Sequence, residues 1–360
     1  MRRTRTRSAL CTLALAAACT RPGEDRALAD REVGVASVGA LAVEVTDRLA
    51  AIRVLAPGQL GLWASAPTIE LTVDVPASAA GPWRITVENA LPDAELTEAG
   101  APLGTAIAGP RPTVLVRDVA LAAGRHVLTV GPPLEGPGPF RIVAMADIQT
   151  GLPTVDEVFA EIATVAPRFV VCMGDLTDRA ELAEYELYEA QLATLPVPIY
   201  STLGNHELWA DPARYHQRFG RASYQFVYRD VAFTFADSGD AGLDPLVEDE
   251  VEGWLDRAAD RTQLFLTHFP PLDPSGIRDG SFRSRRDAQR LVGKLAAGGV
   301  DLALYGHIHS YAAFEHAGIP AFVSGGGGAR PELWDGIGRH FLVVDLAAGA
   351  TPTVGVHRVD

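Results

Sequence analysis

The sequence predicts a layered α/β domain preceded by a small all-β domain, and three observations carry that prediction. "TIELTVDV", residues 68–75, alternates strictly. Ile69, Leu71, Val73 and Val75 fall on one face and Glu70, Thr72 and Asp74 on the other, the pattern of a half-buried strand. "GPPLEGPGP", which opens at 131, marks a linker over 131–137, and beyond it the strands change character. "FRIVAMAD" and "RFVVCMGD" are nearly continuous apolar runs, as a strand buried on both faces requires. Between them Val155, Val158, Phe159, Ile162 and Val165 recur at helical spacing, so strands and helices alternate.

In chain order, "MRRTRTR" is a positively charged start and "SALCTLALAAA" an apolar run too short to span a bilayer, so residues 1–18 read as a signal peptide. "LAAAC" places small residues before Cys19 and resembles the lipobox of bacterial lipoproteins. That resemblance implies lipidation of Cys19, a membrane anchor and a cell-envelope location; a secreted or periplasmic protein is the alternative. Loss of residues 1–18 would remove four arginines and no acid, taking the formal charge from −14 to about −18. Such a charge disfavours binding to nucleic-acid phosphates. Cys11 would leave with the signal, so Cys172 has no intramolecular partner and reads as a buried thiol. Residues 19–38 are polar and read as a tether. From 39 to 130, "ALAVEV", "TIELTVDV", "WRITVEN", "TVLVRDV" and "RHVLTV" are short runs separated by Pro, Gly and Asp, which suggests a β-sandwich of the immunoglobulin or fibronectin kind. Residues 138–360 form the α/β domain.

Within that domain five apolar strands end in residues competent to bind metal. They are Asp147 in "ADIQ", Asp175 and Asp178 in "GDLTD", Asn205 and His206 in "GNHE", His268 in "LTHFP", and His307 with His309 in "GHIH". A single strand-end aspartate is commonly a turn or cap residue. Five such endings at equivalent places are hard to obtain from packing alone, and sites in open α/β sheets gather at strand C-termini. Mixed carboxylate and imidazole donors suit Mn, Fe or Zn better than Mg or Ca.

The order and spacing of these motifs resemble the calcineurin-like metallophosphoesterase superfamily, whose signature runs D-x-H, G-D-x-x-D, G-N-H-[DE], a lone H, then G-H-x-H. The resemblance spans roughly 138–360, and "FVSGGGGARP" looks like the strand and glycine-rich turn common there. It implies a metallophosphoesterase β-sandwich flanked by helices and a centre of two divalent or trivalent ions. One ion would take Asp147, Gln149, Asp175 and His309; the other Asp175, Asn205, His268 and His307. Gln149 stands where the common pattern has histidine. By the same resemblance His206 serves the phosphate or the leaving oxygen, oriented by Asp178, and Arg179 is either a phosphate contact or a surface arginine. The implied activity is metal-dependent hydrolysis of a phosphorylated small molecule. Two alternatives stand beside it: a nucleotide-diphosphate or phosphodiester hydrolase, and an inactive envelope binding protein. His126, His216, His316, His340 and His357 match no motif and read as surface or packing residues. Glu207 reads as a supporting or helix-start acid, Trp209, Tyr224 and Trp334 as core aromatics with stacking on a nucleotide base as the alternative, and the arginine-rich stretch 278–287 as a solvated loop with a substrate-anion contact as the alternative.

Overall fold

The computed structural model describes residues 22–133, 136–276, 280–332 and 334–359; the signal segment, Cys11 and Cys19 lie outside them. Residues 35–131 build two sheets. One has the strand order Val35–Val38, Leu41–Val45, Ile69–Val75, Gly124–Gly131, Glu95–Glu98, Ala101–Pro102. The other runs Ala50–Ala56, Gln59–Ala64, Gly81–Glu88, Val114–Leu121, Thr105–Ile107. In Ile69–Val75 the four alternate apolar residues are buried while Glu70 faces solvent. They share a core with Trp83, Ile85 and Val87 of the facing sheet.

From Phe140 the chain builds two further sheets. In the first, Phe140–Met145, Val170–Cys172 and Ile199–Ser201 run parallel, and His340–Leu346 and Thr353–Arg358 continue the sheet antiparallel. In the second, Val231–Ala236, Thr262–Thr267, Leu302–Tyr305 and Ile319–Ser324 run parallel, with Tyr224–Tyr228 and Tyr311–His316 at the edges. Ile142, Ala144, Phe169 and Val171 meet Phe233, Leu264, Leu266 and Leu304 between the sheets. The alternate residues Val143, Met145, Val170 and Cys172 face outward onto the helices Val155–Thr164 and Leu182–Gln191. Phe265 and Ala303 do the same against Pro245–Arg257 and Arg285–Ala297. Each central strand thus serves two cores, which is why its sequence is apolar without alternation. Cys172 is buried and unpaired, as a packing thiol should be.

Part of the expected tether is ordered structure. Residues Pro22–Glu32 form a helix against the α/β unit, held by charge rather than by an apolar stripe. Arg26, buried, donates to Asp237 (2.6 Å) and Asp240 (2.9 Å). Asp30, also buried, accepts from the backbone N–H of Ala222 (2.7 Å) and Ser223 (2.9 Å) and lies 3.0 Å from His216 Nε2. A helix with no apolar face reads as solvated in sequence, and only its buried partners show otherwise.

The two halves are also joined. Asn89 donates to Ile199 O (2.8 Å) and accepts from Ile199 N (2.9 Å), so its amide pairs with the edge strand as a neighbouring strand would. Ser65 donates to Phe219 O (2.8 Å), Trp63 packs edge-on to Phe219 at 5.3 Å, and Arg53 ion-pairs with Glu189.

Candidate metal centre

Each expected donor leaves the C-terminal end of a parallel strand, and the backbone there turns sharply. Asp147 (φ 63°), Gln149 (φ 43°), Asp175 (φ 57°) and His307 (φ 67°) all adopt left-handed conformations that non-glycine residues seldom take. Such outliers cluster at functional sites, where the surrounding structure over-determines them. Two glycines make the close packing possible. A Cβ on Gly204 would lie 2.1 Å from Asp175 Oδ1, and one on Gly306 2.6 Å from Ala146 Cβ. The glycine-rich turn fastens the floor: Gly327 N donates to Ala146 O (2.9 Å) and Ala329 N to Asp147 O (2.8 Å).

The side chains converge across the two sheets. One donor atom each of Asp147, Asp175 and His268 lies within 4.8 Å of the others. Asp175 Oδ2 is 2.5 Å from Gln149 Nε2 and 3.3 Å from His268 Nε2. Asn205 Oδ1 sits 3.0 Å from His268 Nε2 and 3.0 Å from His307 Nδ1. His309 Nε2 is 3.5 Å from Asp147 Oδ1 and 3.2 Å from the Gln149 amide nitrogen. All seven expected ligand residues are therefore brought together. His307 and His309, two apart in the chain, reach different partners, Asn205 for one and Asp147 with Gln149 for the other.

The far sides of the rings are fixed. His268 Nδ1 lies 2.8 Å from Met173 O and His309 Nδ1 3.0 Å from Arg330 O. A carbonyl only accepts, so each Nδ1 carries the proton and each Nε2 faces the centre. Metal-binding histidines are commonly oriented in this way. Asp175 and Asp147 are fully buried carboxylates, which draw positive charge. Burial works against a charged imidazole at His268, but Asp175 and then Asp147 overcome it and push the ring up to about 9. Burial likewise opposes the charged form of Asp175, yet His268 and His206 hold its carboxyl well below the usual carboxylate range.

Asp147 Oδ2 accepts from His307 N (2.8 Å), whereas Oδ1 is buried and has no hydrogen-bond partner among the described residues. A buried carboxylate oxygen without a donor is costly unless a cation meets it. The donor set around it, two carboxylates, two amides and three imidazoles, is chemically suited to transition-metal ions. The residues present fit a metal centre.

Glu207 turns its carboxylate to the backbone. Fully buried, it accepts from the backbone N–H of Asp175 (2.9 Å), Thr177 (3.1 Å) and Gly204 (2.8 Å), tying the second donor loop to the third. Burial, and then the charge of Asp175, push its carboxyl up to about 7.

His206 differs from expectation in its orienting partner. Its Nδ1 lies 2.6 Å from the backbone oxygen of Asp178, while the Asp178 carboxylate is 3.6 Å away. The main-chain carbonyl of the "GDLTD" turn is the nearer acceptor, a contact that residue type does not encode. His206 Nε2 points inward, 3.9 Å from Asp175 Oδ2. Arg179 is largely exposed and lies 3.5 Å from the Asp178 carboxylate.

Of the three aromatics expected in the core, Tyr224 is there, stacked on Phe235 at 4.6 Å. Trp209 and Trp334 are exposed, and Trp209 lies flat against the His206 ring at 4.8 Å. The only sequence signal for this is the position of Trp209, three residues after His206 on a polar loop. His216, His316 and His340 are buried packing residues, and His126 and His357 are partly exposed at the surface.

Residues 140–311 match the family model described as calcineurin-like phosphoesterase. No curated protein matches the sequence. Among solved structures, purple acid phosphatase PPD1 from yellow lupin is similar at TM-score 0.53 and 15% identity, over 81% of this chain and 70% of that one. The GAP50 anchor of the Plasmodium inner membrane complex matches at TM-score 0.49 and 14% identity, over 62% and 85% respectively. The lupin enzyme shares the fold; its substrate is its own. With its donor residues gathered at one centre, the 140–311 segment is thus identified as a calcineurin-like phosphoesterase domain.

Proposed function

We propose that this chain is a metal-dependent phosphoric ester hydrolase with a two-ion centre. The observation that carries the reading is the buried, partnerless Oδ1 of Asp147 among converging donors from two sheets. Asp147, Gln149, Asp175 and His309 would hold one ion, and Asp175, Asn205, His268 and His307 the other, with Asp175 shared. When bound, the ions supply Lewis-acid polarisation of the phosphoryl oxygens and lower the pKa of the attacking water. His206, held through Nδ1 by the Asp178 carbonyl, presents Nε2 to the centre and is placed to donate to the leaving oxygen. The retention of His206 and of all donors but the histidine replaced by Gln149 supports an active enzyme over an inactive binding protein.

The test is metal content measured beside hydrolysis of mono-, di- and pyrophosphate esters, with Mn²⁺, Fe or Zn²⁺ supplied. Asp175→Asn should lose both metal and turnover, while His206→Ala should lose turnover by about 10²–10⁴-fold with both ions retained. A chain that binds no transition metal, or that hydrolyses none of these esters when loaded, overturns the proposal. We further propose export and lipidation at Cys19; a mature N-terminus elsewhere, or an unmodified Cys19, by mass spectrometry overturns that part.

A further inference from the structure

Exposed aromatic side chains are rare here, and their placement is not scattered. Among the large apolar residues described as exposed, the aromatic ones are Trp209, 61% exposed, and Trp334, 45% exposed. Each sits on a loop that carries or grips a residue of the metal centre. Trp209 follows "GNHE" and stacks on His206, ring centroids 4.8 Å apart and planes 14° apart. Trp334 follows Arg330 and Glu332 and precedes Asp335, three residues that clamp the "GHIHSY" segment. Arg330 O takes His309 Nδ1, Glu332 N donates to His309 O (2.7 Å), and the Asp335 carboxylate accepts from Ser310 and Tyr311. Trp209 thus flanks the side of the centre where His206 lies, and Trp334 stands in the chain between residues that grip the His309 segment.

Packing does not account for the exposure. The other Phe, Tyr and Trp side chains described are buried or half-buried, with Trp83, Tyr185, Tyr200 and Tyr224 almost fully enclosed. An indole left in water beside a polar centre forgoes burial worth about 1.5–3 kcal/mol for a large apolar side chain. Trp209 cannot turn its inner face outward without leaving His206, so its outer face is what it offers. A flat, rigid, apolar surface one ring away from the group placed at the leaving oxygen is suited to a planar partner.

We infer that Trp209, with Trp334 beside the clamp on His309, determines specificity by stacking a planar aromatic group attached to the phosphate. The substrate class is then aryl or nucleoside phosphates and their anhydrides, ahead of alkyl esters of the same charge. This rests on the phosphoesterase reading above. The two are separable because the inference concerns a ratio between ligands and the function concerns turnover.

The experiment compares phenylphosphonate with methylphosphonate binding by calorimetry on the Mn²⁺-loaded chain, and phenyl with methyl phosphate in kcat/KM. Both are done for the natural chain, Trp209→Ala, Trp209→Phe and Trp334→Ala, with metal content measured throughout. Removing a stacking aromatic costs about 1–3 kcal/mol, so Trp209→Ala should lower the aryl-to-alkyl ratio roughly 5- to 150-fold. Trp334→Ala should lower it by less, and Trp209→Phe should restore most of it. If Trp209 only positions His206, both ligands will weaken together and the ratio will stay fixed, which overturns the inference. The natural chain binding both phosphonates equally overturns it too. Absence of turnover with a preserved binding ratio would instead fault the hydrolase reading alone.

Discussion

Gln149 meets the centre through its amide nitrogen, 2.5 Å from Asp175 Oδ2, and coordination by its oxygen needs the amide turned over. Those two roles separate in one variant series. As an oxygen ligand, Gln149 is neutral and binds the first ion less firmly than imidazole would. Gln149→His should then slow metal loss to a chelator, while Gln149→Ala should hasten it by about tenfold, at the low end of what outer-shell losses cost. As a donor to Asp175 alone, Gln149→His should bring no gain in retention. Metal content after chelator dialysis decides between them. The donors at this scale were legible in sequence because metal chemistry admits few residue types. Their companions were not: the Met173, Asp178 and Arg330 groups that orient three of the histidines are backbone carbonyls, which any residue supplies.

The strands announced themselves, since burial on one face or two leaves a period of two or an unbroken apolar run. The helix Pro22–Glu32 did not, because its anchors are Arg26 and Asp30 and its fit depends on groups some two hundred residues away. Its attachment carries a pH dependence. Burial lowers the pKa of His216, but the hydrogen bond and charge of Asp30, with Pro212 O and Asp237, more than offset this and leave it raised. A histidine raised in the folded state stabilises fully below its unfolded value of about 6.5, and that contribution is lost as pH rises through the folded value. Thermal melts from about pH 6 to about pH 9 should therefore show a falling midpoint that Asp30→Asn flattens. Asp30→Ala, which strips partners from Ala222 N, Ser223 N and His216, should cost about 3 kcal/mol at the lower pH. Identical pH profiles for the natural chain and Asp30→Asn would dismiss this role.

For the molecule as a whole, the glycine- and proline-rich stretch after 131 predicts a unit from 138 that folds without the residues before it. The contacts across the halves argue differently. Without them Ile199 loses the Asn89 amide at an open sheet edge, Phe219 loses Trp63 and the Ser65 hydroxyl, and Glu189 loses Arg53. A chain beginning at 138 also lacks Arg26 and Asp30, so it should lose more than the roughly 3 kcal/mol of Asp30→Ala and melt lower by more than roughly 10 °C. It should also associate through the uncovered edge. Calorimetry with size-exclusion chromatography checks both, and a monomer of unchanged midpoint would restore the independent unit. Linker composition reports only where the chain crosses between regions; it is silent on whether their surfaces then meet.

The centre takes Asp147, Gln149, Asp175 and Asn205 from one sheet and His268, His307 and His309 from the other, so it straddles the seam of the sandwich at its rim. Ions gripped by both sets would act as a rivet through two plates. Rigidity at the seam then becomes a function of the surrounding free-metal concentration, and each tenfold increase above the dissociation constant adds about 1.4 kcal/mol per ion. Wherever metal supply varies, the same donors would make durability as well as turnover track what the surroundings provide.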